Sequence, residues 1–130
     1  MERRSGPSSS VASHEWTLTK LALNDEALIA KLTESDITNL EASGLDARAH
    51  ALVRIGALLA LDAAPASYAS VVRLAERAGV SAQEIVGVLV AVLPCIGIAR
   101  TVSAAPGLAL AVGFDVDDVL ERDNDVAGSA

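Results

Sequence analysis

The sequence predicts an all-α fold, a compact helical bundle that assembles through apolar helices, and three observations carry the prediction. Apolar residues recur at helical spacing from Trp16 onward, with no strand alternation that survives beside them. Capping residues and glycines punctuate those periods at intervals suited to short helices. Of the 130 residues 52% are apolar but only 2% aromatic, so the apolar mass is Ala, Val, Leu and Ile, which favours close helix-on-helix packing.

Residues 1–15, rich in Ser and Arg, read as a disordered arm, and 16–122 as the folded domain. Leu18, Leu21, Leu23, Leu28, Ile29 and Leu32 set the first helical period, with Asn24 and Asp25 offering an N-cap before Glu26. Thr33 followed by Asp36 has the shape of a capping box for a short helix that Gly44 ends. Asp46 can cap the segment 47–61, whose apolar residues surround the helix so widely that both faces need cover.

Ser67 is the expected cap of a helix to Ala78, which Gly79 stops. The run Ser81-Ala82-Gln83-Glu84 is a cleaner capping box and launches an apolar helix over 85–93. Pro94 is expected to end or kink it, 97–105 to continue as a second interior helix, and Pro106 to open another short one closed by Gly113. An acidic helix over 115–122 and a polar tail over 123–130 complete the chain. The Val and Ile content of 85–99 would also suit a strand, but the length favours helix.

A net charge of −7 with dispersed basic residues argues against a nucleic-acid partner, which needs a clustered basic face. Arg3, Arg4, Arg48, Arg54, Arg73, Arg77 and Arg100 read mostly as solvation of helix faces. The single cysteine, Cys95, excludes an intrachain disulfide, a Cys-x-x-Cys pair and a cysteine-rich zinc site, and suits a reducing cytoplasm. No cofactor or metal is expected. Residues 85–99 and 101–114 carry no charge before Asp115 apart from the intervening Arg100, yet each run is shorter than the roughly 20 residues of a spanning helix. Buried helices are therefore expected in place of membrane insertion. A small chain this apolar would leave sizeable patches exposed as a monomer, and a homo-oligomer is the expected remedy.

The order Gly44-Leu45-Asp46-Ala47-Arg48, then Leu52-Val53-Arg54-Ile55, then Ala78-Gly79-Val80-Ser81 with Glu84-Ile85 and Gly87-Val88-Leu89, resembles the carboxymuconolactone decarboxylase family, which includes the alkylhydroperoxidase D-like proteins. Ala66-Ser67-Tyr68 and the ending from Pro106 to Asp115 add to the likeness, which covers about residues 20–121. The resemblance implies an all-α bundle assembling into trimers or hexamers.

The same resemblance marks where chemistry should lie. The peroxidase branch has a Glu followed by Cys-x-x-Cys-x-x-x-His, a set that activates a thiolate. Here those places fall on Ala51 or Leu52, Ala64, Ser67 and Val71. A serine cannot cycle through a disulfide, so dithiol peroxidase chemistry is blocked. The lactone decarboxylases look like His-based proton-transfer enzymes, and their two His positions map to Val71 and Ala91.

Four candidate residues remain, each with a plainer reading. His50 sits one turn before Arg54 and could join a polar cluster beside Tyr68, although a helix-surface His is the plainer expectation. Arg54 lies in so apolar a helix that it needs an acidic partner, such as Asp62, Glu84 or a neighbouring chain, unless it orients a small carboxylated ligand. Tyr68 with Ser67 would line a pocket, or else supply a packed ring and a cap. Cys95 after Pro94 could be a thiol sensor, but its apolar neighbours Leu93, Ile96 and Ile98 predict a buried, inert thiol. The functional expectation is a family member without the catalytic set, acting as an oligomeric scaffold or small-molecule binding protein. The alternative is an enzyme of unassigned, decarboxylase-like chemistry on a small carboxylated substrate, using Arg54, Tyr68 or His50.

Overall fold

The computed structural model describes residues 13–114 and 116–128, the side chain of residue 116 excepted. Most of the expected N-terminal arm, Asp115 and the last two residues lie outside that range. The described residues form eight helices and no strand: α1 (His14–Ala22), α2 (Glu26–Thr33), α3 (Asp36–Ser43), α4 (Ala47–Leu61), α5 (Pro65–Arg77), α6 (Ala82–Ile96), α7 (Ile98–Ala111) and α8 (Val116–Gly128). None is long and apolar enough to cross a membrane. The chain divides into two compact units, 1–46 and 47–130, so the expected domain over 16–122 spans both.

In the first unit, local caps define three short helices. Ser13 accepts from the Trp16 N–H, and Asp25 accepts from the Leu28 N–H at 2.9 Å, each meeting a donor that a helix start leaves free. Ser35, rather than Thr33, caps α3: its extended backbone lets Oγ accept from the Thr38 N–H at 3.1 Å. The Thr33 hydroxyl turns back instead and donates to the Ile29 carbonyl at 2.9 Å. Asn39 Nδ2 donates to the Leu32 carbonyl at 2.8 Å and ties α3 to α2. None of α1, α2 and α3 contains a buried residue; Leu28, Ile29, Leu32 and Leu40 are only half-buried.

The second unit holds the core. Ala51, Ile55 and Leu59 of α4 recur every four residues and meet Tyr68, Val71, Val72 and Ala75 of α5, Ile85 of α6, and Ala104 and Leu108 of α7. Gly56 faces α6, where a Cβ would make ordinary contacts with Val92 Cγ1 at 3.5 Å and Val88 Cγ1 at 3.6 Å. The apolar stripe of α4 is thus one-sided: Val53 and Leu61 remain exposed.

Several expected boundaries move. Pro65, not Ser67, opens α5, because the fixed φ of proline suits a first helical position where its missing N–H costs nothing. Ser67 already lies in the first turn, with its N–H on the Ala64 carbonyl at 2.9 Å. Pro94 and Pro106 do not end helices but sit inside α6 and α7. Both prolines are exposed residues. The break between these helices is Gly97 alone, at φ 89° and ψ 162°, a combination open essentially to glycine. The segment 123–128, expected as a tail, continues α8.

Within a single chain the two apolar helices are only partly enclosed. In α6 only Ile85 is buried, and in α7 only Ala104 and Leu108. Val86, Val90, Leu93, Ile98, Val102 and Leu110 face solvent in the single chain. One row of each helix therefore packs inward while an equally apolar row does not.

Candidate functional site

Arg48, Gly79 and Glu84, distant from one another in sequence, meet at the first turn of α4. Arg48 stands in the first turn of α4, and its guanidinium donates to the Gly79 carbonyl at 2.5 Å and pairs with the Glu84 carboxylate. Gly79 has φ 83°, and Val80 donates to the Ala75 carbonyl at 3.0 Å, closing the end of α5 in a Schellman turn. That turn leaves the Gly79 carbonyl to receive Arg48. Glu84 also completes the predicted capping box, accepting from the Ser81 N–H at 3.1 Å while its own N–H donates to Ser81 Oγ at 3.1 Å. The Ser81 bonds, backbone N–H foremost, and the charge of Arg48 hold the Glu84 carboxyl below the usual range. Glu84, expected as a partner for Arg54, is thus engaged by Arg48.

A second cluster occupies α4 and α5. Tyr68 is buried, its hydroxyl donating to the Leu58 carbonyl at 3.4 Å. Its ring lies under Gly107, where a Cβ would come within 3.4 Å of Cδ2 and Cε2. Burial pushes the phenol pKa up; a hydrogen bond from the Ala63 N–H opposes this and the Asp62 carboxylate adds to it. Tyr68 is accordingly a neutral, packed donor at physiological pH, the plainer of its two readings.

His50, expected on the helix surface, is only 8% exposed. It precedes Ala51 at the head of the inward stripe of α4, and no buried side-chain nitrogen or oxygen among the described residues lacks a hydrogen-bond partner. Arg54, one turn further on, is half-buried and already engaged within the chain. Cys95, expected to be buried, is exposed. The inward row of α6 runs through Ile85, Val88, Leu89, Val92 and Ile96, and Cys95 lies off it in the last turn. Ser67 is half-buried, Val71 is buried and Ala91 is exposed.

Arg100, read from the sequence as a solvating charge, donates instead to the Ala60 carbonyl at 2.6 Å. That carbonyl belongs to the last turn of α4, where carbonyls lack helical partners. Arg48 has a similarly specific role. Neither was visible in the sequence, because their partners lie 31 to 40 positions away.

The first unit contains a pocket of about 310 Å³ between its helices, lined among others by Trp16, Leu28, Lys31, Leu32 and Glu41. In the sequence, Trp16, Leu28 and Leu32 read only as helical periodicity, and Lys31 and Glu41 carry no signal of their own. Their proximity depends on how α1, α2 and α3 fold together, which no local spacing encodes. Among the described residues, no group of three or more His, Cys, Asp or Glu side chains is placed to hold a metal ion.

Compared with protein-family models, with curated proteins and with solved structures, the chain matches none.

Proposed function

We propose that the chain is a divergent, carboxymuconolactone decarboxylase-like and alkylhydroperoxidase D-like protein that acts as a homo-oligomeric scaffold without the chemistry of either enzyme branch. The family part rests on the ordered motifs from Gly44 to Asp115 and is supported by the contact of three of their members, Arg48, Gly79 and Glu84. The loss of chemistry rests on Ala64, Ser67, Val71 and Ala91 at the places where thiols and imidazoles are expected. Tyr68 does not replace them: its phenol is neutral and already donates to Leu58.

The observation that carries the oligomeric reading is the outward row of α6. Val86, Val90 and Leu93 follow one another at intervals of four and three residues and are all exposed. No charged residue occurs from 85 to 99. Two copies, each with a formal charge of −7, repel one another over most approaches. A neutral apolar row gives them a meeting surface that burial favours and charge does not oppose, and a self-complementary patch of this kind suits a closed symmetric assembly.

Sedimentation at micromolar concentration tests the proposal. The expected mass is a trimeric or hexameric multiple of 13.3 kDa. Val90→Glu, at a side chain 65% exposed, should reduce it to one chain with unchanged helical circular dichroism. A wild-type protein sedimenting as a single chain overturns the reading.

A further inference from the structure

We propose that the pocket of the first unit binds a small apolar α-amino acid. The site lies outside the α6 face and does not depend on self-association. Its volume of about 310 Å³ is at the small end of the range of ligand pockets, roughly 300 to 1,000 Å³, and is sufficient for an amino acid of the size of leucine. Trp16, Leu28, Leu32 and Ala42 give it an apolar wall, while Lys31 and Glu41 give it one charge of each sign.

Neither charge is paired among the described residues. Lys20, by contrast, pairs with Asp25 at 3.5 Å and lies 5.8 Å from the Trp16 ring centroid, whereas the side chains of Lys31 and Glu41 form no ion pair or hydrogen bond with another described residue. A purely anionic ligand would be attracted by Lys31 and opposed by Glu41, and a purely cationic one the reverse. A zwitterion satisfies both: its carboxylate accepts from the Lys31 ammonium and its ammonium donates to the Glu41 carboxylate. An aliphatic or aromatic side chain then covers Trp16, Leu28 and Leu32, which removes apolar surface from water on both partners.

Trp16 is the only tryptophan in the chain, so its emission reports the pocket directly. Titration of the full-length protein with L-leucine should give a saturable change in that emission. Two probes of nearly the same shape, 4-methylpentanoate without the ammonium and 3-methylbutylamine without the carboxylate, should each bind about tenfold more weakly, the loss expected for one charge-assisted contact. Lys31→Gln should weaken leucine and leave the amine unchanged; Glu41→Gln should weaken leucine and leave the carboxylate probe unchanged or improved. Both side chains are exposed, so neither change threatens the fold, and circular dichroism checks this. The absence of any saturable change at millimolar leucine overturns the proposal. So do equal affinities for the three probes, or leucine binding that survives both substitutions.

Discussion

Arg48 and Glu84 stand 36 positions apart in sequence and pair across the first turns of α4 and α6, with the Gly79 carbonyl sharing the same guanidinium. One side chain thereby connects the beginnings of two helices and the end of a third.

The Ser81 N–H bonded to Glu84, with the charge of Arg48 adding to it, makes stability depend on pH with a defined sign. The Glu84 carboxyl is depressed in the folded chain, so its contribution is complete above the ordinary glutamate range and is lost as the pH falls through the lowered value. Thermal midpoints of wild type and Glu84→Gln should differ at neutral pH and converge under acid conditions. The pair is exposed, so added salt should shrink the neutral-pH difference. A difference that persists unchanged in acid contradicts this account.

Gly56 separates two outcomes by size. A Cβ there would make ordinary contacts with Val88 and Val92, while alanine in a helix interior is favoured over glycine by about 1 kcal/mol. Gly56→Ala should therefore raise the free energy of unfolding by up to that amount in denaturant titration. Gly56→Leu should lower it, because the added atoms must displace α6 from α4.

Gly97 tolerates less. At φ 89° and ψ 162° any side chain is strained, so Gly97→Ala should cost about 1–3 kcal/mol although no neighbouring atom lies within 4 Å of the new methyl. Measured destabilisation near zero would mean that the joint relaxes without loss.

Leu59 is fully buried at the centre of the core. Leu59→Ala should cost about 2–5 kcal/mol, read from urea midpoints at unchanged slope.

Cys95 is exposed, so a maleimide should label it in the native Val90→Glu variant without denaturant. Labelling that requires unfolding would show the thiol to be enclosed within a single chain.

Much of the fold was legible where its causes are local. The Ser81–Glu84 box, the Asp25 cap and the stops at Gly44, Gly79 and Gly113 each involve residues within a few positions of one another. The prolines misled for a related reason: a rule about helix interiors predicts a stop at Pro94 or Pro106, but whether the freed carbonyl is buried decides its cost. Burial itself was harder to read. The α4 pattern is apolar on every side, and only the approach of α5, α6 and α7 determines that Ile55 is enclosed and Val53 is not.

The candidate site was legible mainly by subtraction. Under the proposed family reading, Ser67, Val71 and Ala91 stand where catalytic groups would be. The burial of His50 and Tyr68 and the exposure of Cys95 required the tertiary arrangement. The contacts of Arg48 and Arg100 were invisible because long side chains reach carbonyls that no spacing rule assigns to them.

The one-residue joint at Gly97 also affects the order of folding. Helices α6 and α7 touch each other and are separated by so little chain that almost no loop entropy is lost when they meet. Contacts between α4 and α7 must instead wait for some forty residues to be gathered in. A nucleus formed from α6 and α7 would thus precede the closing of the core, and mutations at their mutual contact should slow refolding more than they hasten unfolding.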